Sequence, residues 1–323
     1  MLSTEAASTL EPKPPVVVVA GPTASGKSAL ALELAAALGG TIINADSQQI
    51  YRDLPILTAQ PYAAAMRRAP HRLYCYLDPA ERGSVARWRQ LALTEIAAAH
   101  RAGSVPILTG GTGLYLRALT RGLAAVPDIP PEIRAEAVRL YEELGGAKFR
   151  DRLAALDPNG AARLPSGDRT RLTRAWEVVR ATERPLAEWQ SRTTGAAPYR
   201  FATLLMMPPR EALYRACDAR FAVMMAAGAL DEAAALAARQ LDPDLPSMKA
   251  LGVPELLRHL HGEIPLDEAV ASAQRSTRRY AKRQMTWFRH QVIADLTFFE
   301  QLSESLLRRS RHFIDAFMLT AQS

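Results

Sequence analysis

The sequence predicts an α/β protein, with a parallel sheet core interrupted by a helical insertion. Three observations predict it. The β-branched run Val16-Val17-Val18-Val19 leads through Ala20 into Gly21-Pro22-Thr23-Ala24-Ser25-Gly26-Lys27-Ser28 and then into the helical repeat Leu30, Leu34, Leu38. Strand, glycine-rich turn and helix in that order are the setting of a phosphate-binding P-loop. Further apolar runs alternate with amphipathic helical ones, as in a parallel sheet covered on both faces. From residue 126 to 198 the strand signal disappears and only helical periodicity remains.

Taken in order, residues 1–15 contain two glutamates and no basic start with an apolar centre, so they read as a disordered tail and not as a targeting segment. After the first strand and its helix, a second strand over 41–45 ends on Asp46. Val85, Trp88, Leu91, Ala92, Ile96 and Ala99 then mark an amphipathic helix. A third strand over 105–109 ends in Gly110-Gly111-Thr112-Gly113 and reopens as a helix from Leu114. Ligands of open parallel sheets lie beyond the strand carboxyl ends, where the P-loop, Asp46 and this second glycine turn are expected to meet.

The insertion is framed by Pro127, Pro130 and Pro131 at one end and by Gly195 and Pro198 at the other. Within it Asp168 can cap a helix on which Arg171 and Arg174 share a face. Residues 201–207 resume the core as a strand. From Arg210 the chain reads as helical to near its end, broken by Pro246, Pro254 and Pro265. The expected domains are a core of 16–125 with 199–323 and an insertion of 126–198.

At 323 residues and 48% hydrophobic content the chain can fill such cores, and no apolar run reaches membrane-spanning length. A soluble cytoplasmic enzyme with no membrane partner is expected. Cys75 and Cys217 are isolated, so neither a disulfide framework nor a zinc site is suggested, and both read as buried thiols. The net charge is +7. Between Glu268 and Asp295 there is no acid, while Arg275, Arg278, Arg279, Lys282, Arg283 and Arg289 supply six positive charges. On a helix Arg275, Arg278, Arg279 and Lys282 form one stripe, with Tyr280, Trp287 and Phe288 interleaved. That stripe suits a nucleic-acid backbone; the alternative is a solvated face over core aromatics.

The P-loop implies a polyphosphate ligand: successive backbone N–H groups and the helix N-terminus face the phosphates, Lys27 neutralises them, and Ser28 can hold a Mg²⁺ ion. Asp46 can accept a proton or hold a metal-bound water, or it can simply cap the turn that follows. These residues alone leave a small-molecule kinase open. So are an RNA-binding protein without catalysis and an enzyme acting on free adenine nucleotides.

The segments GPTASGKS, NADSQQIYRDLPILTAQP, APHRLYCYLDP, PILTGGTGLYLRAL, DRTRLTRAWEV, LPSMKALGVPEL and YAKRQMTWFRHQ, in this order, resemble the bacterial tRNA dimethylallyltransferases from about residue 15 to residue 291. The resemblance implies a P-loop NTPase-like core with a helical insertion that contacts tRNA. It also implies transfer of a dimethylallyl group from dimethylallyl diphosphate to the exocyclic amine of the adenine 3′ of the tRNA anticodon, with Mg²⁺ as cofactor and the tRNA anticodon stem-loop as partner. A monomer is expected.

By matching position, the resemblance places Gly21, Pro22, Thr23, Ala24, Ser25, Gly26, Lys27 and Ser28 around the diphosphate, and Lys249 beside it where many relatives carry Arg. Asp46 matches the base near the adenine amine, Ser47, Gln48 and Gln49 its neighbours at the target nucleotide, and Thr112 a residue close to the reacting groups. Arg134 and the run Thr170, Arg171, Leu172, Thr173 and Arg174 match tRNA-contacting positions of the insertion. Arg278, Arg279, Lys282, Arg283 and Gln284 match the basic C-terminal helix. At two places the chain departs from the family: Leu57-Thr58-Ala59-Gln60-Pro61 stands where Gly-Thr-Ala-Lys-Pro is usual, so a cation is lost at position 60, and Thr182-Glu183-Arg184 stands where Thr-Gly precedes a Pro-Leu pair in the insertion, which affects a turn and not the chemistry.

Overall fold

Strand and helix alternate over the first third of the chain. The computed structural model describes residues 13–320; the part of the expected tail up to residue 12 lies outside them. Strand β1 (Pro15–Ala20) feeds α1 (Lys27–Leu38), then β2 (Gly40–Asn44), α2 (Ala63–Arg68) and β3 (His71–Arg72). Helix α3 (Val85–Arg101) leads to β4 (Val105–Gly110) and α4 (Gly113–Thr120). The four helices α5 (Pro131–Ala154), α6 (Pro158–Arg163), α7 (Arg169–Thr182) and α8 (Leu186–Ser191) follow. The core resumes with β5 (Arg200–Met206), α9 (Arg210–Ala226), α10 (Ala229–Ala238), α11 (Val253–Leu260), α12 (Leu266–Gln291), β6 (Leu296–Phe298) and α13 (Glu304–Leu319).

The strands form one parallel sheet in the order β3-β2-β4-β1-β5-β6. Central β1 pairs on both sides, Val17 facing Ile107 of β4 and Ala202 of β5. Its side chains alternate between two cores, which is why a continuous apolar run is required there. Val16, Val18 and Ala20 join Trp88 and Ile96 of α3, Leu116 and Leu119 of α4, and Met285 and Phe288 of α12. Val17 and Val19 join Leu30 and Leu34 of α1 and Leu306 and Ile314 of α13. A third cluster gathers Ile50, Tyr51, Leu54 and Leu57 with Phe221, Val253, Leu256 and Ala273.

Residues Arg121–Ala196 make a compact unit of their own. Its core is Ala137, Phe149, Leu153, Leu172, Ala175, Trp176 and Val179, and α5 is kinked at Gly145, whose φ of 70° lies outside the helical region. Two strands escape the sequence reading: β3 and β6, of two and three residues, are too short to show periodicity. The C-terminal region is therefore not helical throughout. Pro254 lies in the first turn of α11 and Pro265 precedes α12, both acting as entries to helices. No single helix among the described residues is long and apolar enough to cross a membrane.

Candidate active site at the strand carboxyl ends

The loop after β1 is shaped by two glycines for different reasons. Gly26, at φ 89°, is the left-handed residue that opens α1, a conformation that strains any side chain. Gly21 is fixed by space, since a Cβ there would stand 2.6 Å from the carbonyl oxygen of Met206. The loop borders a cavity of about 310 Å³ lined by Ala24, Ser25, Gly26, Lys27, Ser28, Ala59 and Arg220. Lys27 is 8% exposed and its ammonium donates to the Pro22 carbonyl at 3.2 Å. Burial pulls its pKa down to about 8, and Arg220 lowers it further while Asp46 and Cys217 oppose the shift. Burial also pulls Arg220 below its ordinary value. The Arg220 guanidinium donates to the Thr23 hydroxyl, and the buried Ser25 hydroxyl has no hydrogen-bond partner among the described residues. Two desolvated cations and an unsatisfied hydroxyl around one cavity call for a polyanion.

The carboxylate side is built from the ends of β2 and β4. Fully buried Asn44 accepts from the Asp46 N–H at 2.9 Å and donates to the carbonyls of Asp46 and Leu73, each at 3.0 Å, so the turn bearing Asp46 is locked. Asp46 Oδ1 accepts from the Gln48 N–H at 3.0 Å, so the capping role is real. Its other oxygen, Oδ2, faces the second glycine turn. Gly110 lies so close to β2 that a Cβ would be 2.1 Å from the Ala45 carbonyl oxygen. Thr112 ties the two turns together, its Oγ1 accepting from the Ser47 N–H at 2.9 Å and donating to Ser47 Oγ at 3.1 Å. A methyl placed on Gly111 would sit 3.3 Å from Asp46 Oδ2 and 3.3 Å from the Gly21 carbonyl oxygen, so the phosphate loop and the carboxylate meet there. Tyr74 and Tyr280 are pushed above the ordinary tyrosine range by burial first and then by the charge of Asp46.

Several expected residues are placed elsewhere than the sequence suggests. Gln284 is not on the solvated basic face: it is 6% exposed, accepts from the Thr23 N–H at 2.8 Å and donates to the Gly111 carbonyl at 2.8 Å. Arg278 does not belong to a free stripe either, because α12 packs on α9 and there Asp218 takes Arg278 at 2.6 and 2.7 Å. Arg275, Arg279, Lys282 and Arg283 remain exposed. Gln48 lines a second cavity of about 270 Å³ together with Ser47, Tyr51, Thr112 and Tyr115. The Gln49 amide turns inward to the carbonyls of Thr58 and Ala59, at 3.0 and 2.7 Å. Gln60 bonds the Tyr51 carbonyl at 2.8 Å and is not among the residues lining the phosphate cavity. Lys249 is not brought to that cavity; it is exposed and paired with Asp244 at 2.5 Å. Cys217 is buried, whereas Cys75 is exposed in a turn at φ 51°.

Within the separate helical unit, Arg134, Thr170 and Arg171 are exposed, and Asp168 caps α7 through the Arg171 N–H at 3.1 Å. Arg174 pairs with Glu177 at 3.1 Å. Leu172 is fully buried, and Thr173 spends its hydroxyl on the Arg169 carbonyl, so these two side chains hold that unit together and cannot reach a ligand.

Two functional residues lie outside the sequence reading. Arg220 falls on the apolar face of α9 with Leu213, Cys217, Phe221 and Met224, and a lone arginine on a core stripe is the signal that could have found it. Glu232 is buried and accepts from the N–H groups of Ile56 and Leu57, both at 2.8 Å, anchoring the turn that brings Ala59 to the phosphate cavity. Its carboxyl is raised by burial, with the two N–H donors opposing. No group of three or more His, Cys, Asp or Glu side chains among the described residues could hold a metal. Ser28, an exposed residue lining the cavity, carries a hard oxygen donor of the kind that a Mg²⁺ ion would take.

The family described as IPP transferase matches residues 49–291 of the chain. A tRNA dimethylallyltransferase of Rhodospirillum centenum is 60% identical over 286 residues, covering 88% of this chain and 91% of the relative. That of Paramagnetospirillum magneticum is 55% identical over 308 residues, covering 95% and 98%. Among solved structures, the full-length tRNA isopentenylpyrophosphate transferase of Bacillus halodurans superposes with a TM-score of 0.68 at 32% identity, covering 96% of this chain and 98% of that one. A eukaryotic dimethylallyltransferase captured acting on tRNA gives a TM-score of 0.73 at 26% identity, covering 85% and 70%.

Proposed function

Given that the chain belongs to the IPP transferase family and transfers a dimethylallyl group to tRNA, we propose that the donor is dimethylallyl diphosphate and the acceptor the exocyclic amine of the adenine 3′ of the anticodon. One observation carries this reading: the phosphate loop and Asp46 Oδ2 both approach Gly111, which supports a leaving diphosphate and a proton acceptor at one reacting centre.

The allylic C1–O bond breaks with its electron pair going to the diphosphate, the amine nitrogen forms the new bond to C1, and its proton passes to Asp46 Oδ2. Lys27, Arg220, the Ser25 hydroxyl and the backbone N–H groups of the loop hold the leaving group. Charge grows on the diphosphate as the bond breaks, so these fixed donors stabilise the transition state more than the ground state. Ser28 would hold a Mg²⁺ ion, which would supply further neutralisation of that charge. An adenine amine is a weak nucleophile because its lone pair is delocalised, and proton removal by Asp46 as the bond forms offsets this. The adenine must leave the anticodon-loop stack at a cost of a few kcal/mol. Exposed Arg279, Lys282 and Arg283, with Arg134 and Arg171 of the helical unit, supply the phosphate contacts that offset it. The enzyme is proposed to act as a monomer.

Labelled dimethylallyl diphosphate offered in parallel to unmodified tRNA, AMP and ATP tests the reading. Label is expected in tRNA alone; label in AMP or ATP, with tRNA unlabelled, overturns it.

A further inference from the structure

Gln284 is a side chain with both ends committed, each to a different half of the candidate active site. Its Oε1 accepts from the Thr23 N–H at 2.8 Å and its Nε2 donates to the Gly111 carbonyl at 2.8 Å. Thr23 belongs to the loop that cradles the donor. Gly111 belongs to the turn that carries Thr112 and faces Asp46. The spacing is close: a Cβ on Gly111 would stand 2.4 Å from Gln284 Nε2. The strut itself is fixed, because its neighbours on α12, Ala281, Met285 and Phe288, are buried against the central sheet. At 6% exposure the amide is buried.

We propose that Gln284 is a positioning residue, a strut whose two hydrogen bonds set the distance between the diphosphate cradle and the acceptor side so that the adenine amine reaches C1 ahead of water. The inference rests on the prenyl-transfer reading above. Its chemical consequence is specific. When the amine is misplaced, the allylic carbon is still activated by Lys27 and Arg220, and water takes the place of the amine. The C1–O bond breaks with its pair going to diphosphate, a water oxygen bonds to C1 and loses a proton, and dimethylallyl alcohol is released. Misplacement by a fraction of an ångström suffices, since attack depends steeply on separation and alignment.

The test uses two variants of the full chain. Gln284→Glu keeps an acceptor for Thr23 but sets a carboxylate oxygen against the Gly111 carbonyl. Gln284→Met keeps the length and loses both bonds. Each is given labelled dimethylallyl diphosphate and saturating unmodified tRNA, and prenylated tRNA and dimethylallyl alcohol are both counted. The ratio of the two products is independent of how much protein is folded, so a purely structural defect does not move it. The expected result is a ratio of alcohol to prenylated tRNA raised tenfold or more in both variants. An unchanged ratio in both, whether or not the overall rate falls, overturns the inference, as does complete failure to consume the donor while both substrates still bind. Wild-type protein that transfers nothing to tRNA overturns the underlying reading instead, so the two failures are distinct.

Discussion

Lys27 joins stability to binding in a way that can be measured. Its ammonium is held at about 8, down from 10.5, chiefly because it is buried. That displacement corresponds to roughly 3 kcal/mol spent on keeping a charge in the free protein at neutral pH. The unfolded chain binds the proton up to about 10.5 and the folded chain only up to about 8, so folding stability rises with pH through that window. Lys27→Met should therefore be more stable than wild type at pH 7, by up to about 3 kcal/mol, with the gap closing as pH approaches 10.5. Binding has the opposite sign. A bound diphosphate raises the Lys27 pKa, so association takes up a proton once pH passes about 8, and affinity falls by up to about tenfold for each further unit. Calorimetry in buffers of different ionisation enthalpy at pH 8.5 should record uptake of about three-quarters of a proton per dimethylallyl diphosphate bound. In Lys27→Met both the uptake and the pH slope should vanish. Uptake below about one-tenth of a proton in wild type, or the same slope in the variant, would refute the assignment of Lys27 as the phosphate-facing cation.

Asp46→Asn retains an acceptor for the Gln48 N–H, so the fold and both affinities should persist while single-turnover transfer falls about 10²- to 10⁴-fold; a rate within threefold of wild type removes Asp46 from the chemistry. Replacing Arg279, Lys282 and Arg283 together by Ala should weaken tRNA binding and lower its salt slope by about one unit for each lost phosphate contact, read from binding across a salt series. Arg278→Ala should leave that slope unchanged and lower thermal stability instead, because its partner is Asp218. Gly113→Ala should destabilise the protein in thermal unfolding, since its Cβ would stand 2.0 Å from the Trp287 ring.

What could be read from the residues follows from how local each signal is. The P-loop is legible because strand, turn and helix are contiguous, and the β-branched run of β1 announces a strand buried on both faces. Gly110, Gly111 and Gly113 were visible as a turn, yet their reasons are distant: Ala45, Gln284 and Trp287 approach from elsewhere in the chain. The basic stripe shows the limit of helical periodicity. Spacing groups Arg278 with the solvated cations and the resemblance adds Gln284 to the same basic helix, but the way α12 packs decides which side each faces, and Asp218 and Thr23 claim them. Leu172 and Thr173 match the tRNA-contacting run by position alone, and their burial makes them core residues of the helical unit. Arg220 stands out as a lone arginine on the apolar stripe of α9, but the cavity that gives it a role is formed only in the fold.

Nucleoside-level mapping of the product tests carbon transfer to one adenine most directly. Unmodified tRNA incubated with the protein and dimethylallyl diphosphate is digested with a base-specific nuclease, and the fragments are weighed by mass spectrometry while released diphosphate is counted. One isoprene unit on the adenosine 3′ of the anticodon and one diphosphate released per modified tRNA are expected. A prenyl group on another nucleotide, or diphosphate release without any gain of mass in the tRNA, would contradict it.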